Sequence, residues 1–118
     1  MVIVRADADS EAGTMPGPEL LAAMAAYNDE LFEAGVLRAA AGLHPSSRGV
    51  RVRLSETART VVDGPFPLSS GLIAGYWIFE VASMEEAIDW VKRCPNPTLE
   101  DAEIEIRQIF EPEDFGVS

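Results

Sequence analysis

Apolar and polar residues alternate with a period of two in several stretches of the chain, as is typical of β-strands that bury one face. The predicted strands span residues 1–6, 36–40, 49–55, 59–63, 72–81 and 103–110. The fifth of these stretches is the richest in aromatic and β-branched residues, so we expect it to be the central strand. A turn at Glu56 and Thr57 joins the third and fourth strands into a hairpin.

A first helix is predicted from Pro18 to Gly35. Proline is favoured at the first helical position, and glycine commonly ends a helix as a left-handed cap. The residues of its predicted apolar face recur at helical spacing: Leu20, Met24, Tyr27, Leu31 and Phe32. Residues 7–17, which precede this helix, contain Gly and Pro among acids and are expected to form a loop.

A second helix is predicted from Met84 to about Arg93. Ser83 is a good N-cap, and Glu86 three residues later completes the sequence pattern of a capping box. Its inward-facing residues are expected to be Ala87, Ile88 and Val91.

The resulting order is strand, helix, strand, hairpin, strand, helix, strand. It predicts an α+β fold of the ferredoxin-like split βαβ type with an inserted β-hairpin. Both helices then cover one face of an antiparallel sheet, and strand parity assigns residues to the other, open face. These open-face residues are Ile3, Arg5, Asp7, Tyr76, Ile78, Glu80, Glu105, Arg107 and Ile109. Their apolar area predicts a homodimer in which two open faces enclose a barrel-like chamber, a dimeric α+β barrel.

Composition limits the classes of partner. The 118 residues are expected to form one domain, 1–118, with an acidic tail at 111–118 that Phe115 and Val117 tie down. Twenty acids against nine bases give a net charge of −11, which argues against nucleic acid and against anionic membranes. The sequence contains no long apolar run and no signal-peptide pattern, so a cytoplasmic protein is expected.

Cofactor and metal motifs are missing from the sequence. Cys94 is the only cysteine, and a cysteine beside Pro95 near a helix end is expected to be a packed residue rather than a nucleophile. The sequence has neither metal-ligand spacing nor a nucleotide-binding glycine loop. We therefore expect a small-molecule ligand, no cofactor and no metal.

The strand at 59–63 breaks sharply at Asp63-Gly64-Pro65-Phe66, because Pro65 fixes φ and disfavours a helix through Gly64. This motif, with Gly75-Tyr76-Trp77 and Glu85-Glu86-Ala87, resembles the DGPF group of YCII-related proteins. Other stretches resemble one bacterial branch of that group, including Gly42-Leu43-His44-Pro45-Ser46 and Trp90-Val91-Lys92-Arg93-Cys94-Pro95.

The resemblance covers nearly the whole chain and implies a dimeric ferredoxin-like α+β barrel. Relatives include a dehydrochlorinase of aromatic degradation and proteins encoded beside extracytoplasmic-function sigma factors. A His/Asp pair is the suggested catalytic pair of YCII proteins, and His44 with Asp63 are the candidates here. One departure is the uncharged stretch 67–71, where relatives carry an acidic, Lys-containing segment. It implies either a lost activity or a pocket refitted for a less polar ligand, and we favour refitting.

Three ionisable residues are candidates for proton transfer or its support. His44 is the only histidine, and histidine is the residue type that most often serves as a general acid or base; the alternative is a solvated loop residue. Asp63 is a candidate base or orienting group, although an Asp before Gly-Pro more commonly binds the backbone amides of its own turn. Glu11 lies beyond the first strand at the same expected sheet edge, where a solvated carboxylate is the alternative.

Charged and aromatic residues of the open face are candidates for substrate binding. Arg5 and Arg107 suit an anionic substrate, although neutralisation by Asp7 and Glu105 in a dimer interface is favoured. Tyr76 is a candidate for contact with an aromatic ligand. The hairpin is locally basic and is expected to pair with Glu56 or with a partner's acids through Arg48, Arg51, Arg53 and Arg59.

The first functional hypothesis is a cofactor-independent enzyme that eliminates, isomerises or cyclises an organic metabolite by proton transfer. The second is a non-catalytic module that binds a ligand or a regulatory protein. The third is an inactive paralogue that only assembles with an active one.

Overall fold

The computed structural model describes residues 1–96 and 102–116. Its strands are β1 (Val2–Arg5), β2 (Leu37–Gly42), β3 (Val50–Leu54), β4 (Arg59–Asp63), β5 (Ile73–Phe79) and β6 (Ile104–Ile106). Its α-helices are α1 (Ala8–Glu11), α2 (Pro18–Glu33) and α3 (Met84–Lys92). Short 3₁₀ turns lie at Ser46–Arg48, Leu68–Ser70 and Pro112–Phe115.

The main sheet has the strand order β2-β5-β1-β6, and all its described pairings are antiparallel. β5 therefore lies between β2 and β1 as a central strand. The order, with α2 and α3 as the connecting helices, confirms the predicted ferredoxin-like α+β fold. β3 and β4 form a separate two-stranded sheet, which is the inserted hairpin.

The register of β1 fixes which residues share a face. Val2 pairs with Trp77 and Ile106, whereas Ile3 pairs with Tyr76 and Glu105. Val2 and Trp77 belong to the buried core, which lies against the helices. The predicted parity of the strands is thereby confirmed, and Ile3, Tyr76 and Glu105 lie on the open face, each partly exposed.

The core lies between the sheet and the two long helices. It comprises Val2, Tyr27, Leu31, Val36 and Trp77, with Trp90 and Val91 of α3 packed against it. The Tyr27 and Trp77 rings meet edge to face at 5.7 Å between centroids. Both polar tips are satisfied, because the Tyr27 hydroxyl donates to the Trp90 carbonyl at 2.7 Å and Trp77 Nε1 donates to Asn28 Oδ1 at 2.8 Å.

The helix ends agree with the sequence signals. Pro18 occupies the first turn of α2, and Gly35 has a φ of +73° just after its end. The Ser83 hydroxyl accepts the Glu86 amide at the start of α3. The Glu86 carboxylate accepts the Ala82 amide rather than that of Ser83, so the predicted capping box is displaced by one residue.

Several expectations need correction. Residues 7–17 include the helix α1, because the Asp7 carboxylate caps it by accepting the Ser10 amide at 2.7 Å. Asp7 is therefore engaged in the cap and does not belong to the open face of the sheet. β6 is shorter than predicted, and Phe32 is 70% exposed rather than part of the α2 core face. The Phe115 ring contacts the Phe110 ring at an interplanar angle of 39°, whereas Val117 lies outside the described residues.

Candidate functional site

The ends of three strands meet at one edge of the main sheet. Arg5 at the end of β1 pairs with Ile73 at the start of β5, and Gly42 at the end of β2 pairs with Gly75. The chain continues from β1 into α1 and from β2 into the His44–Arg48 segment. The last residue of α1, the Ser46 turn and the Asp63–Phe66 motif come into direct contact there.

Ser46 connects these segments through its hydroxyl and its amide. The Glu11 carboxylate accepts the Ser46 amide at 2.8 Å and also accepts the Ser46 hydroxyl. The Ser46 Oγ in turn accepts the Phe66 amide at 2.9 Å. All three side chains are partly buried. A single hydroxyl therefore links α1 to the segment that follows β4.

Asp7 acts on this network indirectly. Its carboxylate and the Ser10 hydroxyl cap α1 reciprocally, with the Asp7 amide donating to Ser10 Oγ at 2.9 Å. The cap fixes the first turn of α1, and Glu11 is the last residue of that four-residue helix. Asp7 thus positions Glu11 instead of contacting Arg5 or Arg107.

Gly64 is required by a close approach of two backbones. A Cβ at this position would lie 1.8 Å from the Ser46 carbonyl oxygen, and the Gly64 amide donates to the Gly49 carbonyl at 2.9 Å. Any side chain at residue 64 would push the motif away from the Ser46 turn. The Gly64–Pro65 peptide bond is cis.

His44 lies at the exposed surface of the same edge. The Arg48 guanidinium Nη1 is 3.2 Å from His44 Nδ1 and 3.3 Å from Nε2. The imidazole is two residues from Ser46, so the Glu11–Ser46 contacts hold the loop that carries it. The ring is accessible to solvent.

Asp63 is exposed, and its backbone pairs with Val50. Within the described residues, its carboxylate accepts no hydrogen bond, and none joins it to His44. The favoured interpretation of Asp63 as the residue that binds its own turn is therefore wrong. The turn is held instead by the Gly64 amide on Gly49 and the Phe66 amide on Ser46.

Glu105 stands between the two open-face arginines. Arg5 Nη1 is 3.9 Å from Glu105 Oε1, and Arg107 Nη1 is 3.2 Å from Oε2. The pairing with Glu105 agrees with the interpretation that acids neutralise these arginines, which was favoured over an anionic substrate, although Asp7 does not take part. Arg5 lies at the edge that holds the site, while Arg107, whose amide donates to the Met1 carbonyl, lies at the opposite end of β1.

The uncharged segment 67–71 contacts the hairpin. The Arg51 guanidinium stacks over the Phe66 ring at 4.1 Å and donates to Ser70 Oγ at 3.0 Å. Arg51 of the hairpin therefore contacts Phe66 and Ser70 of its own chain and not Glu56.

Ser46 belongs to the candidate site but was not predicted from the sequence. Its position two residues after His44 and within a Pro-Ser-Ser turn gives only a weak signal, because such serines usually serve the local turn. Its long-range partners, Glu11 at 35 positions away and Phe66 at 20, cannot be inferred from spacing.

Cys94 is partly buried against the core, and this burial raises the pKa of its thiol to about 11. A protonated thiol is a poor nucleophile, in agreement with the packed role expected for it. Across residues 1–96 and 102–116, no group of three or more His, Cys, Asp or Glu side chains could hold a metal ion. No helix in these same ranges is long and apolar enough to cross a membrane.

Comparison with known proteins relates the chain to one family. The family model of the YCII-related domain matches residues 1–113. A protein of Rhizobium meliloti (strain 1021), named only as the uncharacterized protein R00369, is 28% identical over 86 residues. That similarity spans 73% of this chain and 69% of the relative.

Proposed function

Because the chain belongs to the YCII-related family, we propose that it is a cofactor-independent enzyme that moves a proton on a small organic metabolite. The reaction class is elimination, isomerisation or cyclisation. The observation that carries the proposal is the Glu11–Ser46–Phe66 network, which fixes the loop of the only histidine beside the Asp63–Phe66 motif.

His44 is the residue proposed to move the proton. Its exposed imidazole removes a proton from a carbon atom of the substrate and returns it to a neighbouring atom or to a leaving group. Asp63, at the end of β4, is the second candidate base. Neither His44 nor Asp63 has the buried, paired environment of a preformed His–Asp dyad. We therefore assign Glu11 to positioning the His44 loop and Asp63 to contact with the substrate.

Substrate binding is assigned to the open face of the sheet. Tyr76 offers a partly exposed ring, and Arg5 offers a guanidinium whose 3.9 Å pair with Glu105 is long enough to yield to a ligand carboxylate. Arg107 and Glu105 extend the same face away from the site edge. A second copy of the chain, laid open face to open face, would turn this surface into the wall of a chamber.

Solvent deuterium exchange tests the proposal without knowledge of the product. The protein is incubated in D₂O with a panel of small keto acids, lactones and halogenated or hydroxylated carboxylates, and ¹H NMR follows loss of carbon-bound protons. The wild type should exchange at least one compound, and His44→Gln should slow that exchange about 100-fold or more. Ser47→Ala, in the same loop, should exchange at the wild-type rate. Equal rates for wild type and His44→Gln would refute the role of His44.

A non-catalytic binding module is the second candidate. The observations that favour it are the missing His44–Asp63 contact in the described structure and the uncharged Leu68–Ser70 turn beside the site. In the same NMR experiment, a module would broaden the signals of a ligand without exchanging its protons. The binding module would be supported if no compound exchanges its protons and if Arg5→Ala or Tyr76→Ala abolishes the line broadening of a ligand.

A further inference from the structure

The β3–β4 hairpin, residues 50–63, has an apolar face that the described chain leaves uncovered. We call these residues the arm. Four of its apolar side chains are more than half exposed: Val50 at 57%, Val52 at 52%, Leu54 at 68% and Val61 at 63%. An isolated two-stranded hairpin is at best marginally stable in water, so an arm of this kind needs a surface to pack on.

The register shows that these side chains share one face. Val52 pairs with Val61, and residues directly opposite in an antiparallel pair point to the same side. The other face carries Arg51 and Arg53, opposite Val62 and Thr60. Arg51 fastens that second face to the chain's own Phe66 and Ser70. The apolar face is thereby directed away from the protomer.

The protomer is less compact than a single domain of its length. The radius of gyration is 16.6 Å, whereas a compact domain of this length has a radius of gyration of about 13.5 Å. The principal extents of 48 × 45 × 21 Å describe a flat particle. A flat protomer with an open sheet face and an uncovered arm has the shape expected of half an assembly.

Charge indicates what covers the arm. The arm contains three Arg and two acids, while the rest of the chain contains six bases and eighteen acids. The arm therefore fits a surface that is acidic and also carries exposed apolar side chains. A second copy of this chain has both properties, because its open face carries exposed apolar side chains and the chain outside its arm is acidic.

We infer that the arm of each protomer packs its apolar face on a second copy of the chain and places Arg59, which pairs with Leu54 on that face, against the acidic surface of that copy. The inference rests on the homodimer included in the proposed function. A standard interface buries about 800 Å² on each partner. Four side chains supply less area than this, so the arm contact adds to the open-face contact.

This arrangement makes the site depend on the partner. The arm begins directly after the Ser46–Arg48 turn and ends at Asp63, so both of its ends are parts of the site. Packing of the arm on the partner therefore restrains the His44 loop and the Asp63–Phe66 motif together. The site of one protomer is completed by the partner's support of its arm.

A pair of neighbouring substitutions tests the inference. Val61→Asp places a charge on the apolar face of β4, and Thr60→Asp places the same charge on the opposite face, across from Arg53. Sedimentation velocity over a range of concentrations should show that Val61→Asp raises the dimer dissociation constant about tenfold or more. Thr60→Asp should leave it within about twofold of wild type. Higher salt should weaken the wild-type dimer, because the arm is basic and its partner surface acidic.

The outcomes separate the inference from the proposed function. A wild-type dimer that Val61→Asp leaves intact, or that both variants weaken equally, overturns the arm contact but not the dimer. A monomeric wild type overturns both. If Val61→Asp does not fold by circular dichroism, hydrogen exchange of the wild type decides instead. Amides of β3 and β4 should become more protected as protein concentration rises, and unchanged protection would overturn the inference.

Discussion

Removal of the Ser46 hydroxyl should destabilise the protein by about 2 kcal/mol. Ser46→Ala deletes a hydrogen bond to the charged Glu11 carboxylate, and such bonds contribute about 1.5–3 kcal/mol. It also leaves the Phe66 amide without its acceptor, although partial exposure lets water replace part of that loss. An unfolding entropy of about 2.1 cal/mol/K per residue converts this into a fall in Tm of about 8 °C for 118 residues.

The matched control is Ser47→Ala, the adjacent and exposed serine, which makes no hydrogen bond within the described part of the chain. Differential scanning calorimetry should show a Tm within about 2 °C of wild type for this variant. The Tm of Glu11→Gln should lie between those of the two serine variants, because the Ser46 hydroxyl keeps an acceptor at residue 11 but that acceptor no longer carries a charge. Equal Tm values for Ser46→Ala and Ser47→Ala would refute the claim that Ser46 joins the three segments.

Two further changes follow from packing and from protonation. Gly64→Ala should lower the free energy of unfolding in urea by about 3 kcal/mol or more, because its Cβ meets the Ser46 carbonyl. Gly42→Ala, whose Cβ has nothing within 4 Å, should lower it by less than about 0.5 kcal/mol. Similar urea midpoints for both variants would contradict the close approach. Burial raises the pKa of Cys94 from 9.0 to about 11, so above pH 9 the unfolded thiol ionises first and stability should fall between pH 9 and 11. Cys94→Ala should lose less stability over that range, and identical pH profiles would argue against the raised pKa.

The fold could be predicted from the sequence because its signals are local. The alternation in β5, the proline and glycine that bound α2 and the Ser83 cap each act within a few residues. Their order leaves few topologies open. The four-residue helix α1 was missed because its signal is a single reciprocal cap between Asp7 and Ser10, without an apolar periodicity.

The site could be predicted only in outline. Glu11 was expected at the sheet edge beyond the first strand, and His44 and Asp63 were recognised as candidates by residue type and by the DGPF motif. The contacts that join them depend on how three loops pack, and Ser46 became visible only through those contacts. The expected bonds of Asp63 to its own turn do not form because Gly49 and Ser46 satisfy the amides of Gly64 and Phe66 first.

The open face of the sheet is the surface on which the proposed chamber depends. Ile3, Tyr76 and Glu105 remain partly exposed there in the single chain. The molar mass in solution tests most directly whether a second copy covers them. Light scattering on the purified protein at micromolar concentration should give twice the chain mass of 12.8 kDa. A mass of 12.8 kDa at that concentration would contradict the chamber and, with it, the substrate-binding roles of Arg5 and Tyr76.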